Sequence, residues 1–459
     1  MQSNLLLFLL FSIIASLTIR LLSNNQKKYG LFCFNIIFYL LCDPRFLILM
    51  LASILWSFKS GQKIESETSK NKLWLFFGIF PIVLILILFK YFNFFISQIG
   101  SGTDALSILM PLGISYYTFK IISYMADIYL KKRPAEVSIL SYGIYVSFFP
   151  QIICGPISRS EEITKQLSQL QNPSSHMLAQ GSILILSGLF KKLVIADRLN
   201  LYVNAIFSDT SSYPALALWI AAFFYTIQIY CDFSGYSELA IGTGNLLGIN
   251  CQPNFRLPYF SYNIKDFWRK WHISLSSWLK DYIYIPLGGN RSSYYRKNIN
   301  ILVTFLASGL WHGSGLNFIV WGLYHGLLNL IPFKKSSHKI LCFVQMLFTF
   351  MCVMFGWILF KASSLLNGLM YIIQMFQNLS INRQTIISTI LPFTGDYSCV
   401  PYFLTVCIFI LVLFIIEFYE YIGRLKNDSK GRCLKCFIYL TAVILFGMIG
   451  QNSFLYANF

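Results

Sequence analysis

Several stretches of this chain carry almost no charge over bilayer-spanning lengths: Leu73–Phe89, Leu341–Phe360, Tyr402–Phe418 and the shorter Cys436–Gly450. A helix needs roughly 20 apolar residues to cross a hydrocarbon core, and in lipid every backbone amide and carbonyl must be satisfied within the segment or a closed barrel. Such runs predict membrane helices. Composition agrees, since 56% of the residues are hydrophobic and only 12% charged, more apolar surface than a soluble domain needs. The fold class is therefore all-α, a multi-pass membrane protein with roughly 11–14 transmembrane or re-entrant helices around a central tunnel. No linker separates soluble domains, so residues 1–459 are read as one membrane-embedded domain. Asn4–Leu22 lacks a basic leader and an Ala-x-Ala site and is expected to be a retained helix.

A formal net charge of +18 raises the question of nucleic acid. The distribution argues for membrane topology instead. Lys27-Lys28, Lys70 with Lys72, Lys131-Lys132-Arg133, Lys334-Lys335 and the Arg424–Lys435 loop all lie in connections between apolar runs, as the positive-inside rule requires. These clusters cannot all face the cytoplasm if spans simply alternate, so some segments are expected to be re-entrant. The cysteines are scattered through apolar runs. Cys433-x-x-Cys436 has no second pair, so neither a disulfide framework nor a zinc site is expected.

Helices are predicted, among others, over Ile139–Ile153, Gln180–Ile195, Leu216–Tyr230, Ile299–Leu310 and Phe318–Leu330. The last two are shorter than a span. Leu247–Leu275, with Pro253 and Pro258, is too polar to cross and suits headgroup level. Pro286-Leu287-Gly288-Gly289-Asn290-Arg291 is a turn, because proline fixes φ and the paired glycines admit left-handed backbone.

Chemistry concentrates in two blocks, Asp266–Arg291 and Ser308–Gly326, which hold three of the five histidines. Ionisable groups at membrane depth are costly and are functional candidates by default. His312 lies among Ser308, Gly309, Gly313, Ser314 and Gly315, small neighbours that let a substrate or another backbone come close to the imidazole. Its alternative is a core histidine bonded to a carbonyl. His272 follows Phe267-Trp268-Arg269-Lys270-Trp271. On one continuous helix Trp268, Trp271 and His272 would share a face; the alternative is an interfacial belt with snorkelling cations. His325 reads as structural or supporting, and His176 and His338 as solvated loop residues. Asp232 and Glu238 bracket Phe233-Ser234-Gly235-Tyr236-Ser237 after an apolar helix. They either orient a histidine or cap and pair. No Walker loop, Gly-x-Ser-x-Gly or His-x-x-x-His zinc pair occurs, so any catalysis rests on histidine.

These residues resemble the membrane-bound O-acyltransferase family, in its bacterial alginate O-acetyltransferase-like branch. The match includes Asp43-Pro44-Arg45, Pro111–Phe119, Phe148-Phe149-Pro150-Gln151 with Gly155-Pro156-Ile157, Gln228–Ser237, the Asp266–Arg291 block and Gly309–Gly313. Glu238 stands where the branch has aspartate, and Lys280 where it has arginine, which loses a bidentate fork. The polar tail after the last span is almost absent. The resemblance implies His312 as the near-invariant acid–base histidine and His272 as its partner. It implies Trp268, Trp271, Trp311 and Tyr282 as walls of a tunnel reaching the site from both membrane faces, with Asp232 and His325 in support and no metal. It also implies transfer of an acetyl group from a cytoplasmic thioester donor, acetyl-CoA or another acyl thioester, with no bound cofactor. The acceptor would be a cell-surface or secreted polysaccharide, reached with a periplasmic or extracellular acetyl-transfer partner, from the bacterial cytoplasmic (inner) membrane. D-alanyl transfer to teichoic acid is the alternative, disfavoured by the Pro286–Arg291 turn. A polar-ligand transporter or flippase is the alternative of another class, and no internal repeat supports it.

Overall fold

The computed structural model describes residues 5–99, 109–291, 293–377, 379–393, 399–423 and 429–448. Every regular element among them is helical. Five of the described helices are long and apolar enough to cross a membrane: Asn71–Phe94, Ser175–Ser208, Ala215–Leu246, Lys339–Lys361 and Val400–Tyr421. The chain is a multi-pass α-helical membrane protein. The end of the Cys436–Gly450 run, the start of the Arg424–Lys435 loop and the tail lie outside the described residues. Contacts divide the chain into two compact units, residues 1–185 with 237–253, and residues 186–236 with 254–459.

In the first unit, the helix predicted over Ile139–Ile153 is broken into Ile139–Ser147 and Phe149–Ile152. Pro150 cannot donate to the preceding turn, and its ring excludes continuation of that helix. The freed amide of Phe149 donates to Asn35 Oδ1 at 3.0 Å, while Asn35 Nδ2 donates to Ser147 Oγ at 3.3 Å. Nearby, Gly113 sits at φ +68°, and a Cβ there would lie 2.3 Å from the Ile152 carbonyl oxygen. Only glycine meets both demands, which accounts for the glycine in the Pro111–Phe119 motif. Lys120 is buried and donates to the Tyr145 carbonyl at 3.0 Å, and the Tyr145 hydroxyl returns a bond to the Lys120 carbonyl at 3.0 Å.

Two sequence expectations change around Asp232. The helix predicted to end at Tyr230 runs on from Ala215 to Leu246, so Asp232 lies inside it rather than after it. Asp232 is tolerated there because Lys192 donates to it at 2.7 Å, and Lys192 is also 2.9 Å from Asp197. All three side chains are at most 5% exposed, and a buried charge persists only when paired. Lys192 belongs to a π-helical turn, Phe190–Ala196, which continues the helix predicted to end at Ile195 into Asp197–Ser208. Gly235 lets the two segments approach, since a Cβ there would sit 2.9 Å from the Gly188 carbonyl oxygen.

Candidate active site

Two helices, Tyr294–His312 and Leu316–Leu330, form an antiparallel hairpin. Their glycines face one another. A Cβ on Gly309 would lie 2.3 Å from the Phe318 carbonyl oxygen, and one on Gly322 2.5 Å from that of Phe305. Small residues at such contacts let helix backbones meet closely. The room around His312 is thus taken by the neighbouring helix, and Gly313 likewise accommodates the Phe318 ring. Of the two uses the sequence allowed for these glycines, backbone approach is the one observed.

His312 ends the first helix of the hairpin and is 2% exposed. Its ring lies 4.7 Å from Trp311, 5.1 Å from Trp321 and 5.2 Å from Phe360, centroid to centroid, all edge to face. Offset and edge-to-face contacts are the favoured aromatic geometries.

His272 does not share one helical face with Trp268 and Trp271. The helix stops at Lys270, Trp271 is extended, and His272 adopts left-handed backbone at φ +43° before a second short helix, Ile273–Leu279. The break has an identifiable cause in Asn254. Its carbonyl accepts from the Ile273 amide at 2.9 Å, and its side-chain oxygen accepts from the Ser274 amide at 3.2 Å and hydroxyl at 2.9 Å. The same oxygen lies 3.2 Å from His272 Nδ1. An oxygen already accepting from an amide has only lone pairs to offer, so Nδ1 carries the proton and Nε2 the basic lone pair. Nothing in Gln252-Pro253-Asn254-Phe255 advertises this role; an ordinary asparagine eighteen residues upstream in sequence gives no local signal.

His272 is buried, 1% exposed, and lies outside the five spanning helices. Burial pushes its pKa well below the usual imidazole value, because loss of solvent penalises the charged form. Trp271 is also 1% exposed and Trp268 9%, so these two indoles pack inside the protein. Phe233, next to Asp232, meets the His272 ring edge to face at 4.6 Å. Trp311 joins the two histidines: its ring is 6.3 Å from His272 and 4.7 Å from His312, so those two legs bound the imidazole separation at 11.0 Å.

A cavity of about 450 Å³ runs beside this layer. Lys265, Arg269, Lys280 and Lys297 line it together with the buried Trp268 and Ser308. Lys297 is in the first turn of the Tyr294–His312 helix and Ser308 in its last, a rise of roughly 16 Å. His312 follows Ser308 by four residues and shares its face. Leu275, three residues after His272, lines the same cavity. Trp271 packs instead between Phe267, Phe255 and Trp357, and Tyr282 against Trp278 at 5.1 Å. His325 is fully buried between Trp268 and Trp321. His176 and His338 are exposed, and Gly288 and Gly289 take positive φ in the predicted turn.

Residues 46–338 match the sequence model of the membrane-bound O-acyltransferase family. The probable alginate O-acetylase AlgI of Pseudomonas syringae pv. tomato is 34% identical over 81% of this chain and 74% of its own length. The peptidoglycan O-acetyltransferase of Helicobacter pylori is 34% identical, over 74% of this chain and 72% of its own. The teichoic acid D-alanyltransferase of Bacillus subtilis matches less of the chain, 32% identical over 47% of it and 57% of that protein. A family match over more than half of the chain, with relatives 34% identical over most of its length, shows that this chain belongs to the membrane-bound O-acyltransferase family.

Proposed function

We propose that this enzyme moves an acetyl group from a thioester donor to a hydroxyl of a cell-surface or secreted polysaccharide, with His312 as the general base. The observation that carries the reading is the placement of His312 and His272 around Trp311, one helical turn beyond the buried lining of a cavity bearing four cations. His312 takes the hydroxyl proton as the oxygen attacks the thioester carbonyl. The C–S bond then breaks, and the imidazolium returns that proton to the departing sulfur. A positioned base contributes about 10²–10⁴ in rate, and fixing the two reactants supplies much of the rest. His272, locked by Asn254 with Nε2 basic, orients the reacting group or assists the same proton. Trp268, Trp311 and Trp271 hold the layer together, with Tyr282, Asp232 and His325 in support.

The cations suit the phosphates of acetyl-CoA or of another phosphate-bearing acyl thioester, with no bound cofactor or metal. The branch resemblance supports a bacterial cytoplasmic membrane location, a donor on the cytoplasmic side and a periplasmic or extracellular acetyl-transfer partner. Residues 1–459 act as one acyltransferase module. D-alanyl transfer is the second reading; it draws on the D-alanyltransferase relative, which covers less of the chain. Native membrane vesicles given radiolabelled acetyl-CoA test the proposal. Wild type should label the precipitable glycan, and His312→Ala should not, at equal protein level. Undiminished labelling by the variant would remove His312 from the chemistry, and label exported without being transferred would favour a transporter.

A further inference from the structure

His325 takes no proton in the transfer step, yet its setting is unusual. It is 0% exposed, and neither ring nitrogen has a hydrogen-bond partner among the described residues. An imidazole always carries at least one N–H, and a buried polar group left without a partner is destabilising. Phenylalanine would fill a similar space without that cost. Aromatic faces surround the ring instead: Trp268 at 5.1 Å and 88°, Trp321 at 5.0 Å and 68°, and Tyr324 at 5.3 Å and 77°. These edge-to-face contacts are the geometry in which a polar ring edge meets a π face. Gly356 completes the setting from the facing helix, since a Cβ there would lie 2.5 Å from His325 Nε2. The ring is therefore fixed by indole faces and a glycine notch.

The two tryptophans do different work. Trp268 lines the basic cavity, and Trp321 packs on His312 at 5.1 Å. We propose that His325 is a positioning residue, its polar ring tying the cavity wall at Trp268 to the ring that holds His312, with Gly356 as the notch that sets its orientation. The proposal rests on the acyl-transfer reading and deepens it. His325 touches neither donor nor acceptor in this account. It sets where His312 stands relative to a donor in the cavity.

Three variants test it in native membrane vesicles with radiolabelled acetyl-CoA, with rates measured against donor concentration and thermal midpoints taken on the purified protein. His325→Phe keeps a flat ring and removes the polar edge. It should lower kcat about tenfold while donor KM stays within about twofold, because the cations are untouched. Its thermal midpoint should hold or rise. Gly356→Ala adds one methyl to a helix interior, a change that favours the helix by propensity, and should give the same kcat loss by displacing the ring. His325→Ala with Gly356→Ala should be no worse than His325→Ala alone, since the methyl then has nothing to displace. Wild-type kcat in His325→Phe, or additive losses in the double variant, would overturn the proposal. So would losses that disappear once activity is counted per folded molecule. Wild-type vesicles that transfer no acetyl overturn the acyl-transfer reading itself, and this inference with it.

Discussion

The side-chain oxygen of Asn254 lies 3.2 Å from His272 Nδ1 and also accepts from the Ser274 amide and hydroxyl. One amide group thus sets the tautomer of the imidazole, its left-handed backbone and the start of the next helix. A group that holds a base in its working tautomer acts on turnover more than on binding.

Asn254→Ala is expected to lower kcat by about 10- to 100-fold with little change in donor KM, matching the roughly 1–3 kcal/mol cost of orphaning buried donors. Asn254→Asp keeps the accepting oxygen but buries a charge, and should recover only part of the activity. His272→Ala should impair turnover strongly yet leave a measurable residue, because His312 remains. Steady-state rates of acetyl transfer in vesicles check all three. Wild-type turnover in Asn254→Ala would detach this asparagine from the site.

Burial holds the His272 pKa below its ordinary value, and this gives folding a pH dependence of definite sign. The unfolded chain binds a proton at this histidine near pH 6.5, whereas the folded protein leaves it neutral. Below about pH 6.5 the unfolded state therefore binds more protons, and stability falls as pH falls, by up to about 1.4 kcal/mol per pH unit for this group. Above that pH the contribution is complete. Thermal midpoints of detergent-solubilised protein should decline on acidification below about pH 6.5, and less steeply in His272→Phe than in wild type. Equal slopes would show that His272 is not buried neutral.

How much of this was legible in the sequence differs between elements. The long apolar spans and the Tyr294–His312 and Leu316–Leu330 hairpin follow from local composition, so their existence was readable. The extension of the Ala215–Leu246 helix through Asp232 was not, because the charge is paired with Lys192, forty residues away. The same holds for the break at Trp271 and His272. A run that reads as one amphipathic helix is interrupted by Asn254, a partner no periodicity reveals. The candidate histidines stood out by type, since imidazoles in an apolar chain are conspicuous, but what orients them is non-local.

The ion triad of Lys192, Asp197 and Asp232 predicts a stability effect distinct from catalysis. Lys192 is the cation that both carboxylates share, and removing one side of a buried ion pair costs about 3–5 kcal/mol. Lys192→Met should therefore reduce the folded fraction and the thermal midpoint sharply. The triad also fixes the helix position that presents Phe233 to His272 at 4.6 Å, so the activity of the remaining folded enzyme should fall as well. Lys192→Met with Asp197→Leu and Asp232→Leu removes all three charges and should be more stable than Lys192→Met alone. Size-exclusion profiles and midpoints of wild type and the two variants decide it, and a Lys192→Met protein as stable as wild type would show that the triad is not buried.

The basic cavity predicts how the donor is held. Lys265, Arg269 and Lys280 are exposed while Trp268 and Ser308 are buried, so the cavity grades from a charged mouth to an apolar floor. A thioester whose phosphates rest on the cations would lay its acyl end toward His312. Exposed charges attract weakly and are screened within about 8–10 Å at ordinary ionic strength, so each should act on capture rather than on the chemical step. Arg269→Ala is expected to raise donor KM by about three- to tenfold with kcat nearly unchanged, the loss of roughly 1 kcal/mol of uniform binding. Arg269→Lys should recover only part of it, because the planar fork that grips a phosphate with two bonds is gone. Raising salt should increase KM for wild type more than for Arg269→Ala. Initial rates at several salt concentrations measure both effects. A KM indifferent to salt and to Arg269 would place the donor somewhere other than this cavity.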